Sequence, residues 1–318
     1  MKTIIILLLF FFQITSNSYS QNLTEWDSVL SGAEFGDMTV VSGNGTLSYN
    51  FARVDSLSEK SKEEDNDHLS KVSENTQVVI RNTEDVYVSF AFSGVKVKCD
   101  EISANYLPSG RRYIQEWKWA YNGEKLDHFS LDGVGQNGLI IPRGSIRTEY
   151  VPRLYRYDPR YNGMKIFDTP VGTFLKGSLG YMTVENISVK GEEVIDNIPC
   201  KIITGHITNT ADSITVWLAP GIMYRPKKIE HISMDEITVI QNSFKQYVTG
   251  IWFPNKIQKD IYYIDSNTNK RVLYSTETIV VNDDYNINID LPSTMFEIKF
   301  PSKMTVFDFR LRETIQIK

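Results

Sequence analysis

The chain has 318 residues, a formal net charge of −5 and 12% aromatic residues, with 17 Tyr and 16 Phe among them. That length is ample for a sizeable core in one large domain or two small ones. The mild acidic balance gives no support to nucleic-acid binding, which usually needs a concentrated basic face, so no nucleic-acid partner is expected.

Lys2 precedes an unbroken apolar run, Ile4 to Phe12, and a short polar tail, Thr15 to Ser20, follows. That order is the charged, apolar and cleavage regions of a secretory signal peptide. The run is far shorter than the roughly 20 residues that span a bilayer. Ser18 and Ser20 place the cut after Ser20, and no Cys lies near it to take a lipid. No later segment is apolar for long enough to span, so residues 21–318 are expected as a single β domain in the periplasm or secreted, with no transmembrane span after cleavage. Export carries Cys99 and Cys200 to an oxidising compartment. A bridge between them would close a loop of about 100 residues, worth up to about 4.7 kcal/mol of chain entropy. Two buried free thiols are the other reading, because sequence does not place the two Cα atoms.

Helix signals are scarce. Thr24 caps a short helix through about Leu30, with Trp26 and Leu30 at i, i+4 spacing, and Gly32 ends it. From Met38 onward the pattern is short alternating runs between turn residues. Asn44-Gly45 predicts a hairpin between Thr39–Val41 and Thr46–Phe51. Residues 56–75 are charged and almost free of apolar side chains, which reads as a solvated loop or a marginal helix inserted between two strands, without metal-binding spacing. Gln77–Arg81 and Val86–Phe92 then pair about a turn at Asn82–Asp85, and Val95–Cys99 follows.

Tyr113–Tyr121 is the most informative strand. Tyr113, Gln115, Trp117, Trp119 and Tyr121 alternate with Ile114, Glu116, Lys118 and Ala120, so one face is nearly a continuous aromatic wall. Asn122-Gly123 turns the chain into Lys125–Leu131. Gly133–Pro142 and Tyr155–Met164 read as loops, and the region from about 140 to 180 holds one or two short helices over an opening. Consecutive antiparallel strands follow: Tyr181–Lys190, Pro199–Ile207, Ser213–Leu218, Lys227–Ser233 and Ile237–Tyr247. Trp252–Ile264 and Arg271–Val281 form a long hairpin, and the tail carries Phe296–Phe300, Val306–Phe309 and Ile315–Ile317. No fixed-period repeat occurs, which excludes propellers and solenoids.

Chemistry-bearing patterns are missing. His68, His128, His206 and His231 form no pair at metal-ligand spacing, so no metal is expected. There is no Gly-x-Ser-x-Gly elbow, and the Gly pairs at Gly43/Gly45 and Gly133/Gly135 precede no helix. Acidic pairs such as Asp235/Glu236 and Asp283/Asp284 fall at turns. The reading is a non-enzyme with no catalytic residues and no cofactor. What remains is the aromatic face. It either fills a core or lines a hydrophobic groove for a ligand such as an acyl chain.

Three stretches carry a resemblance: Trp119-Ala120-Tyr121-Asn122-Gly123-Glu124-Lys125; Asp196-Asn197-Ile198-Pro199-Cys200 with Val216-Trp217-Leu218-Ala219-Pro220 and Tyr224-Arg225-Pro226-Lys227-Lys228-Ile229-Glu230; and Gly250-Ile251-Trp252-Phe253-Pro254-Asn255-Lys256. Over roughly residues 110–260 their order and spacing resemble the outer-membrane lipoprotein carrier and sorting superfamily. The resemblance implies a mainly β fold, an unclosed antiparallel half-barrel with a few short helices covering its concave face. It also implies a lipid, lipoprotein acyl chain or other hydrophobic ligand bound there. Tyr113, Trp117, Trp119 and Tyr121 are the expected groove residues. Competing readings are a structural or protein-interaction component of the envelope, with partner contacts through Arg153, Tyr155, Arg156, Tyr157, Arg160 and Tyr161, and a carbohydrate-active enzyme.

Overall fold

The structure is a computed structural model that describes residues 25–55, 79–106, 112–134, 140–148, 156–248, 250–265 and 270–318. The expected signal peptide and the whole charged insertion lie outside the described residues, as do Arg153 and Tyr155.

Helix α1 spans Glu25–Asp37. The first six strands are β1 (Ser42–Asp55), β2 (Val79–Ser93), β3 (Lys96–Tyr106), β4 (Arg112–Tyr121), β5 (Leu126–Val134) and β6 (Ile140–Arg147). A π-helical turn at Arg160–Met164 and helix α2 at Val171–Leu175 interrupt the strands. Strands resume with β7 (Ser178–Leu179), β8 (Met182–Ile195), β9 (Ile198–Ile207), β10 (Ser213–Ala219), β11 (Arg225–Ile232), β12 (Glu236–Val248), β13 (Ile251–Ile264) and β14 (Arg271–Val281). The tail adds β15 (Asn286–Ile287), β16 (Thr305–Asp308) and β17 (Glu313–Gln316).

Backbone pairing joins these strands into one continuous sheet in the order β17-β16-β6-β5-β4-β3-β2-β1-β14-β13-β12-β11-β10-β9-β8. All neighbours are antiparallel except β16 and β6. No pairing among the described residues joins β8 to β17, so the sheet is unclosed. β1 joins the N-terminal meander β2–β6 to the C-terminal meander, pairing β2 on one side and β14 and β15 on the other. No helix among the described residues is long and apolar enough to cross a membrane.

Alternation gives the sheet two unlike faces. On the concave face Val97, Val88, Leu47, Val281, Ile257, Ile229, Val216 and Ile203 belong to one buried cluster that runs across the strands. Three segments cover this face: α1, the stretch 156–167 and α2. They contribute Val29, Ala33, Tyr157, Met164, Ile166, Val171 and Phe174 to that cluster. The convex face carries two smaller clusters. The tail packs Met304 and Val306 over Phe129 and Ile146. At the other end Cys200, Trp217, Ala219 and Ile222 pack together.

Three local expectations give way to long-range packing. The Asn44-Gly45 hairpin is absent, and β1 runs straight through it. A Cβ on Gly45 would lie 2.4 Å from the Tyr285 Cα and one on Gly43 2.9 Å from the Phe92 ring, so these glycines serve close approach rather than a turn. The Asn82–Asp85 turn is likewise absent. Those residues pair with Asn50–Arg53 inside the β1–β2 ladder. Helix α1 continues past Gly32 to Asp37, because Gly32 makes room for the Tyr224 ring, 2.2 Å from where its Cβ would be. The Asn122-Gly123 turn forms as expected, with Asn122 Oδ1 accepting from the Glu124 and Lys125 amides.

Candidate functional site

β4 places Trp117, Trp119 and Tyr121 on the concave face, opposite Glu101, Cys99 and Val97 of β3. Tyr113 occupies the strand position opposite Asn105, and its side chain lies outside the described residues. The two indoles stack, with centroids 6.1 Å apart and planes 15° apart. His128, which β5 sets opposite Trp119, stacks on that ring at 3.8 Å and extends the ladder to three flat groups. Tyr121 is half-buried and its hydroxyl donates to the Gly123 carbonyl oxygen at 2.9 Å. Trp119 is 8% exposed, and its buried indole N–H has no hydrogen-bond partner among the described residues.

The wall therefore lies on the concave side, but it is neither open nor sandwiched between sheets. Short lid segments close over this face instead. A recess of about 460 Å³ does exist, lined by Ser48, Tyr87, Ile102, Ile114 and Val280 among others. By alternation those five residues sit on the convex face, away from the tryptophans.

A second aromatic column sits deeper on the concave side. Phe92, Phe253 and Tyr285 stack at 6.3 and 5.5 Å, and Tyr247 meets Phe253 edge-on at 5.8 Å. Tyr49 meets Tyr157 of the lid edge-on at 5.1 Å. Sequence reasoning passed over these groups, although Val86, Val88, Phe90 and Phe92 show the same period-two signal as β4.

Polar groups anchor the lid. Arg156 donates to the Tyr49 hydroxyl through Nε (3.0 Å) and Nη2 (2.6 Å). Arg160 forks onto the fully buried Asp158 (2.6 and 3.0 Å), donates to the Gly94 carbonyl oxygen and lies 3.8 Å over the Phe92 ring. Burial opposes the charge on Arg160, but Asp158 holds its pKa above the usual value. Arg156, Tyr157 and Arg160 thus turn inward, toward the sheet, with only Tyr157 fully buried. Tyr157 is buried beside Glu101 of β3, itself 1% exposed, and burial followed by that carboxylate drives the phenol pKa far up.

The two helices are clipped to the sheet and to each other. Arg225 of β11, 1% exposed, donates to the Gly36 carbonyl oxygen at 2.7 Å and to Thr39 Oγ1 at 2.8 Å. Burial lowers its pKa to about 10. Asp37 accepts from the Gly172 and Val171 amides at 2.9 and 3.3 Å. Burial raises its pKa, and those two bonds and Arg225 only partly offset the rise. No residue type or spacing in the sequence marks Arg225 or Asp37 as lid anchors.

Cys99 and Cys200 are both buried and unbridged. Cys99 faces the concave core in the N-terminal meander, and Cys200 faces the convex cluster of β9, so the bridge considered from sequence does not form. Among the described residues no three His, Cys, Asp or Glu side chains gather as metal ligands.

No protein-family model matches the sequence, and no curated protein does. Similar solved structures include a DUF1329 family protein from Desulfovibrio piger, 11% identical, covering 86% of this chain and 95% of that one at a TM-score of 0.37. A domain named for outer membrane lipoprotein sorting, from Vibrio parahaemolyticus, is 10% identical over 84% of this chain and 94% of its own, at 0.38. LprF from Mycobacterium bovis is 10% identical over 84% of this chain and 96% of its own, at 0.31. One of these structures is named for the group that the sequence motifs resemble.

Proposed function

We propose that this protein is a non-catalytic component of the cell envelope that holds a hydrophobic ligand, a lipid or a lipoprotein acyl chain, against the concave face. One observation carries the reading. An unclosed sheet presents an apolar concave face whose cover is not a second sheet but three short segments, each fixed by its own few polar contacts. Such a cover can be exchanged. An acyl chain gains about 0.8 kcal/mol per buried CH₂, so ten methylenes are worth about 8 kcal/mol, enough to compete with the side chains it displaces. The aromatic ladder offers flat apolar surface along this route, and an ester carbonyl is the kind of acceptor that the Trp119 indole N–H lacks. The Asp283/Asp284 pair is engaged at a turn, Asp283 by Lys245 and Asp284 by Thr46.

The test is native mass spectrometry of the purified mature protein, followed by titration with a fatty acid brominated along its chain. The expected result is co-purified lipid and quenching of tryptophan fluorescence that weakens in Trp117→Phe and Trp119→Phe. A protein that carries no lipid and shows no quenching overturns the reading.

A further inference from the structure

Five large apolar side chains stand exposed at one rim of the sheet: Phe35 (52%), Met38 (70%), Val41 (58%), Val95 (71%) and Ile289 (36%). They come from three separate parts of the chain, and backbone bonds bring them together. The Gly94 amide donates to the Val41 carbonyl oxygen at 2.9 Å, which sets Val95 beside Val41. The Asn288 amide donates to the Ser42 carbonyl oxygen at 2.8 Å, which sets Ile289 on the other flank. The Asn288 side chain clamps the stretch between them, accepting from the Val41 amide (3.0 Å) and donating to the Thr39 carbonyl oxygen (2.7 Å). Met38 lies one residue before that clamp, and its amide donates to the Phe35 carbonyl oxygen at 3.2 Å.

The geometry points to this rim as a docking surface for an electrically neutral lipid bilayer. Two facts decide between a bilayer and a protein strand. The amides and carbonyls at the centre of the rim are already engaged, so an incoming peptide has no free edge to extend. The charges next to the patch give it no net positive charge: Lys96 follows Val95, Asp290 follows Ile289, and in the adjoining turn Lys125 is held by Asp127 at 3.1 Å beside Glu124. Asp37 is turned inward onto α2. Apolar tips with no net positive border fit the zwitterionic headgroup boundary, where buried apolar area supplies the affinity and no anionic lipid is needed. Because Phe35 lies in the last turns of α1 and Met38 directly follows the helix, docking here would set the C-terminal end of the lid against the lipid.

This inference rests on the carrier reading, but its test is separate. The mature protein and the variants Met38→Asp and Val95→Asp, both altered at exposed positions, are floated with phosphatidylcholine vesicles at 0.05 and 0.5 M salt. The expected result is flotation of the wild type at both salt concentrations, weakened about tenfold in each variant. Retained lipid in native mass spectra should be unchanged in the variants, and circular dichroism should report intact folds. Absence of wild-type flotation, flotation abolished by salt, or variants that float like the wild type would overturn the docking surface while leaving the carrier reading intact. Flotation by a protein that holds no lipid would remove the carrier reading and leave the surface.

Discussion

Gly36→Ala sets two effects of opposite sign against each other at the lid. Gly36 lies in the last turn of α1, where alanine is intrinsically favoured by about 1 kcal/mol. A Cβ at Gly36, however, would stand 2.3 Å from the Met223 carbonyl oxygen, a backbone atom. That oxygen has little freedom, because the Met223 and Tyr224 amides are tied to the Pro220 and Ala219 carbonyl oxygens at 3.2 and 2.9 Å. Helix α1 must therefore lift. Overpacking of this kind costs about 1–3 kcal/mol. Lifting also stretches the buried Arg225 bond to the Gly36 carbonyl oxygen, a bond to a charged group worth about 1.5–3 kcal/mol. The net expectation is a loss of about 2 kcal/mol, or a Tm lower by roughly 3 °C for a chain of this size. Hydrogen exchange should report α1 amides losing protection before those of the β1–β2 ladder. Gly221→Ala is the control, since a Cβ there meets nothing within 4 Å. If Gly36→Ala were as stable as wild type, or more so, the lid would not be seated on the β10–β11 turn as described.

The raised pKa of Asp37 has a definite pH signature. Its folded value lies above the unfolded 3.8, so its ionisation opposes folding, and the protein should gain stability relative to Asp37→Asn as pH falls through the folded value toward 3.8. Urea melts of the two proteins across the carboxylate range would show this, and a difference that shrinks in acid would refute it. Thiol titration should find two reactive cysteines after denaturation and none in the native protein, with the Cys200 thiol further held protonated by burial. An unreduced sample with no titratable thiol would contradict the unbridged arrangement.

Much of the fold was legible where chemistry is local and periodic. The β4 wall, the Asn122-Gly123 turn and the succession β8–β14 follow from alternation and turn residues. The failures cluster where a local signal was reused for a distant contact. Asn44-Gly45 is a strong hairpin signal, yet its glycine is needed because Tyr285, 240 positions further along, packs against it. Gly32 reads as a helix stop, but the Tyr224 ring fills the space where its side chain would be. The lid anchors were hidden for a related reason. Arg225 lies within a stretch that reads as an ordinary basic strand, Arg225-Pro226-Lys227-Lys228, and only the arrival of α1 over β11 converts it to a buried donor. The aromatic wall was visible, but its exposure depended on segments whose placement no single-strand pattern encodes.

An unclosed sheet has two free edges, and this chain treats them differently. At the β8 edge, Glu185, Lys190, Glu192 and Glu193 are exposed, and register shifts at 185–188 and 189–191 bend the strand. Charges and bulges of this kind discourage pairing with another chain. β6 has a weaker defence of its own, Pro142, Arg143 and Arg147 among the apolar Ile140, Ile141 and Ile146. The tail covers it further. β16 pairs with β6 in parallel, and β17 then forms the outermost strand. The tail also buries Phe129 and Ile146 under Met304 and Val306. Removing residues 302–318 would expose an apolar edge and forfeit about 1.5–3 kcal/mol for each large side chain uncovered. The truncated protein is therefore expected to aggregate through β6, detected as concentration-dependent light scattering with thioflavin binding. Ile141→Lys and Ile146→Lys placed in the truncated chain should restore solubility without restoring the lost stability. A truncated chain that stays monomeric at high concentration would show that the tail is decoration and that β6 needs no cover.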